Sequence, residues 1–157
     1  MKRILIAVSL VPVAMAVACG SDAAPQPTVF NLTLSTASET PACPDAGTGA
    51  TGTAKVTIPT DNASVVVDVT YSGLSGPATA SHIHSGTAAA PGPVVLPFPA
   101  PLDSPFTKTV TAADYVPAAG APPDFATFVT ALKAGGAGYV NVHTGACKAG
   151  EIRGEIQ

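Results

Sequence analysis

Along residues 29–36 (VFNLTLST) apolar and polar positions alternate, with Phe30, Leu32 and Leu34 on one face and Asn31, Thr33 and Ser35 on the other. A two-residue period is that of a half-buried strand. It returns at 54–58, where Val56 and Ile58 oppose Lys55 and Thr57. At 64–71, Val65, Val67, Val69 and Tyr71 oppose Val66, Asp68 and Thr70. Shorter strands are expected at 79–84, 106–110, 138–143 and 152–157, with a brief apolar piece at 94–96. Turn residues such as Thr60-Asp61-Asn62 separate them. One segment breaks the pattern. In residues 124–134, Phe125, Phe128, Val129 and Leu132 recur at helical spacing, Asp124 stands where a cap belongs, and Gly135-Gly136 stops the run. About seven short strands with frequent turns predict an all-β domain, an antiparallel Greek-key β-sandwich with one short helix near 124–134.

Composition narrows this further. The 157 residues include 15 Gly and 16 Pro, too many for a helical bundle. Charged residues make up only 11% and the net charge is −3, so no basic face exists for nucleic acid. A mean hydropathy of +0.38 argues against disorder. Part of that hydropathy sits at the front. Lys2 and Arg3 precede an uncharged run over residues 4–18, too short to span a bilayer comfortably but suited to the core of a signal peptide. Ala16-Val17-Ala18 supplies the small residues of a cleavage site, and Cys19 follows directly. This arrangement resembles the bacterial lipoprotein signal. The resemblance implies removal of residues 1–18, lipid on Cys19 and a membrane-anchored, exported protein. Gly20 after the cysteine favours the outer membrane or cell surface in a double-membrane bacterium. Loss of Lys2 and Arg3, with no acid, takes the net charge to −5. Residues 19–27 then read as a flexible tether and 28–157 as the folded domain.

In an exported domain Cys43 and Cys147 form an even pair and are expected to bridge, the alternative being two free thiols. Neither has a second cysteine nearby, so the spacing is not that of a zinc site. No nucleophile elbow, P-loop, dinucleotide fingerprint or paired catalytic carboxylate is present, and the expectation is a non-enzymatic protein.

Five blocks carry a family resemblance: Tyr71-Ser72-Gly73-Leu74-Ser75-Gly76, Ser81-His82-Ile83-His84-Ser85-Gly86, Gly92-Pro93-Val94-Val95, Gly138-Tyr139-Val140-Asn141-Val142-His143-Thr144 and Gly150-Glu151-Ile152-Arg153-Gly154-Glu155-Ile156. Together, over residues 28–157, they resemble the CHRD domain, the module named after chordin. The resemblance implies an extracytoplasmic β-sandwich acting as a binding or structural module of the cell envelope, with no settled activity or partner. Cys43 and Cys147 lie outside that pattern.

All three histidines fall inside these blocks. Strand alternation turns His82 and His84 opposite to Ile83, and His143 opposite to Val140 and Val142. If the aliphatic residues face the core, the imidazoles share an outward face. Two adjacent strands would then converge them into a zinc or copper site. The H-x-H strand is similar to the copper ligands of copper–zinc superoxide dismutase, but no bridging histidine cluster and no Gly-Asp pair accompany it. The competing expectation needs no cofactor: histidines that hydrogen-bond backbone carbonyls and pin turns. Asn141, Glu151 and Arg153 are expected in such a structural polar network, Arg153 as an ion-pair partner on the polar face of the last strand.

Overall fold

A computed structural model describes residues 24–136 and 138–157. Residues 1–18 and Cys19 lie outside the described residues, as does the front of the tether. Eight strands follow in order: β1 (Thr28–Ser35), β2 (Thr51–Ile58), β3 (Ser64–Ser72), β4 (Ala78–Ser85), β5 (Val94–Pro97), β6 (Phe106–Thr111), β7 (Gly138–Thr144) and β8 (Ile152–Glu155). The helix α1 (Phe125–Lys133) lies where the 3.6-residue period placed it, its first turn capped by the Asp124 carboxylate accepting from the Thr127 amide at 2.8 Å.

The fold is all-β, with every strand pair antiparallel. The strands join in one continuous, nearly closed sheet in the order β5-β4-β7-β8-β1-β2-β3-β6. The join that local pattern could not foresee is β8 to β1, made through the single register pair Ser35↔Arg153. Gly154 permits it: a Cβ there would sit 2.6 Å from the Thr33 carbonyl oxygen. The two edges nearly meet, since the Val116 amide, beyond β6, donates to the Val95 carbonyl of β5 at 2.9 Å. Curling a sheet in this way protects its edges, which otherwise expose unpaired backbone groups.

The core follows the alternation. Leu32, Leu34, Val56, Ile58, Val65, Val67, Ile83, Val140, Val142 and Ile152 point inward, and α1 adds Phe125, Phe128, Val129 and Leu132. Strand β7 differs from its neighbours in being buried along its whole length, on both faces. Cys43 and Cys147 are bonded, with Cα atoms 5.6 Å apart, so the loop after β1 is tied to the turn between β7 and β8. The cross-link spans 104 residues. Removing both sulfurs (Cys43→Ala with Cys147→Ala) should lower unfolding free energy by about 2–5 kcal/mol, read from urea melts under oxidising conditions. A variant as stable as the parent would show that the bridge does not constrain the unfolded chain.

Candidate functional site

The outward side of β4, β7 and β8 carries most of the unusual side chains. Register sets His82 opposite Asn141, His84 opposite Tyr139 and Ala80 opposite His143. On the other side of β7, Asn141 faces Arg153 and Tyr139 faces Glu155. Because Ile83, Val140 and Val142 enter the core, alternation sends all three histidines to this face. It is not an open surface: His143 is 7% exposed and Asn141 2%, while His82 and His84 are half-buried.

The imidazoles converge. Ring centroids are 4.9 Å apart for His82 and His143, 5.6 Å for His82 and His84, and 6.4 Å for His84 and His143. One nitrogen from each ring lies within 4.8 Å of the others. Backbone carbonyls fix two of the tautomers. His84 Nδ1 lies 2.9 Å from the Gly92 carbonyl, and His143 Nδ1 lies 3.0 Å from the Lys148 carbonyl. A carbonyl only accepts, so each Nδ1 carries the proton and each neutral ring keeps its lone pair on Nε2. His84 Nε2 and His82 Nδ1 are buried without a hydrogen-bond partner, whereas His143 Nε2 meets Asn141 Oδ1 at 3.0 Å. Burial, reinforced by His143 and His84, pulls the His82 pKa down to about 4 against the opposing Asn141 amide. Burial likewise lowers His84 and His143, against the Gly92 and Lys148 carbonyls. The cluster is therefore neutral at pH 7.

Beside it, His84 stacks on Tyr139 with centroids 4.6 Å apart and planes 10° from parallel. The Arg153 guanidinium lies 3.4 Å from the same ring centroid. Arg153 makes its ion pair from a buried position. It is 1% exposed, and its partner is Glu155 on its own strand, with Nε donating to Oε1 at 2.8 Å. Nη2 lies 2.7 Å from the same oxygen but is not aligned for a hydrogen bond. Glu151 stands apart from Arg153. Its carboxylate accepts from the Gly47 amide at 2.8 Å, from the Ser75 amide and hydroxyl at 2.6 Å, and from the Thr144 hydroxyl at 2.6 Å. Burial pushes its pKa up, but these bonds outweigh it and hold the carboxyl below the ordinary value.

Sequence reasoning missed Glu39. It lies in the loop after β1 with no period to place it, yet the loop folds it over β8, where it is 6% exposed with Oε1 unpartnered. Gly150, at φ +130°, makes room, because a Cβ there would collide with the Glu39 carboxylate. Burial raises the Glu39 pKa to about 7, with the Arg153 charge opposing the rise.

A carboxyl whose folded pKa exceeds its unfolded value binds protons more tightly when folded, so its stabilisation is present below about pH 4.5 and is lost as pH rises through 7. The histidines act in the opposite sense, since a lowered folded pKa costs stability as pH falls below 6.5. Glu39→Gln should therefore stabilise the domain at pH 8 by on the order of 3 kcal/mol and leave stability rising with pH between 4 and 6.5. Chemical melts across that range check it, and a profile unchanged by the substitution would refute the buried-carboxylate assignment.

No curated protein and no solved structure matches the chain. The CHRD domain profile matches residues 30–156, a span containing the histidine cluster, Glu39, the disulfide and all of β2 to β8. With so much of its length matched, the chain belongs to the CHRD domain family.

Proposed function

We propose that the protein is an exported, lipid-anchored, non-enzymatic CHRD module of the cell envelope, whose β4–β7–β8 face binds a transition-metal ion, zinc or copper, through His82, His84 and His143. The observation that carries this reading is the pair of backbone carbonyls, Gly92 and Lys148, that take the Nδ1 protons of His84 and His143 and leave their Nε2 lone pairs facing the cluster. Metal-bound histidines are held in this way, the second ring nitrogen donating to a carbonyl or carboxylate. Neutral imidazole suits Zn²⁺ and Cu²⁺. Nitrogens about 2.0–2.1 Å from one tetrahedral ion stand about 3.4 Å apart. The widest pair, at most 4.8 Å, closes to that distance by small ring movements. The family supports a binding or structural module. Residues 2–19, with their basic start, apolar run and cysteine, support export and a lipid on Cys19.

Titration calorimetry with Zn²⁺ and Cu²⁺ should give one site of micromolar affinity or tighter, weakened at least tenfold in His84→Ala. Absent binding, or binding unchanged in the variant, refutes the metal site and favours a metal-free network that pins loops 85–93 and 144–151. Growth of the producing cells on a clickable fatty acid should label the wild type and not Cys19→Ala; equal labelling of both sinks the anchor.

A further inference from the structure

We infer that Asn141 supplies the fourth ligand of this site through its side-chain oxygen, making the coordination sphere three imidazole nitrogens and one amide oxygen. The inference rests on the three-histidine reading and adds to it the kind of site it is. Asn141 is directly opposite His82 in register and two residues from His143 on the same outward face of β7. Its amide is 2% exposed and sits among all three rings. It reaches His143 Nε2 at 3.0 Å, and it acts on His82 and His84 without the alignment that would satisfy their buried nitrogens.

The contact with His143 has a specific defect. His143 Nδ1 donates to Lys148, so Nε2 of the neutral ring has only a lone pair, and it meets an amide oxygen that also has only lone pairs. Two acceptors at 3.0 Å repel unless something electron-poor lies between them or the amide turns its NH2 inward. A metal ion removes the conflict. Adjacent ligands on one ion are about 2.9–3.4 Å apart for bonds of about 2.0–2.1 Å, depending on tetrahedral or octahedral geometry, and the observed separation is within that range. The same ion draws on the unpartnered nitrogens of His82 and His84. In tetrahedral geometry four protein ligands leave no open position for water, and closed sites of this kind hold metal without activating a nucleophile. A closed sphere of this kind accords with the non-enzymatic metal-binding reading proposed above.

The chain contains three asparagines, Asn31, Asn62 and Asn141, which makes a direct test simple. With the asparagine side-chain carbonyls labelled by ¹³C, one equivalent of Zn²⁺ should shift one of the three resonances, the one missing from Asn141→Asp. In Co²⁺-loaded wild type, added azide should leave the visible spectrum unchanged, whereas in Asn141→Leu it should bind and shift the bands. Zn²⁺ affinity should fall at least tenfold in Asn141→Leu and be retained in Asn141→Asp. Zn²⁺ binding with no carbonyl shift, or azide perturbing the wild type, overturns the fourth ligand while leaving the three histidines in place. Failure of the wild type to bind either metal overturns both readings. The labelling and azide measurements on the wild type stand even where Asn141→Leu does not fold.

Discussion

Strand β7, paired between β4 and β8 and covered on both faces, has no solvent face, and every polar group on it must find its partner inside the protein, since a buried polar group left alone costs about 1–3 kcal/mol. One face of the strand meets the condition with Val140 and Val142 in the core. The other face carries Tyr139, Asn141 and His143, and the rest of the outward surface is arranged around their needs. The Lys148 carbonyl serves His143, Arg153 covers Tyr139, and His84 stacks on the same ring. Two imidazole nitrogens still unmatched, on His82 and His84, both belong to the neighbouring strand β4 and border the same cluster. That concentration of unmet hydrogen bonding in one place gives the face its chemical character.

Most of the strands were legible because period-two alternation is a local property, and β1, β3 and β4 begin and end within a residue or so of where it placed them. Helix α1 was legible for the same reason, through Asp124 and the spacing of Phe125, Phe128 and Leu132. The facing of the histidines also followed from parity. Sheet closure was not legible. Whether β8 joins β1 depends on one register pair and on the absence of a Cβ at Gly154, both properties of distant chain segments meeting. The depth of Arg153 stayed open on similar grounds: alternation tells which way a side chain points and nothing of what later folds over it. Glu39 lies at the far end of the same problem, brought over β8 by a loop with no periodicity. The carbonyls of Gly92 and Lys148 leave no trace in side-chain identity at all.

Scarcity of charge makes the electrostatics of the domain unusually readable. Burial raises Glu39 to about 7 and lowers the histidines, so the two kinds of group titrate with opposite effects on stability. Glu151, by contrast, is held ionised by donors from two loops and the end of β7, and ties Gly47 and Ser75 to Thr144. One buried carboxyl is thus a structural knot and the other a group balanced near neutrality. Their difference comes from donor count and not from depth.

The bond between Cys43 and Cys147 has a topological consequence as well. It turns residues 43–147 into a covalent ring that includes β2 through β7, leaving only β1 and β8 on the two free arms. Those arms pair with each other, so the ring is also closed non-covalently on the outside. A single protease cut anywhere between the two cysteines opens the ring without releasing a fragment. The nicked molecule still carries every strand of its sheet on one connected chain.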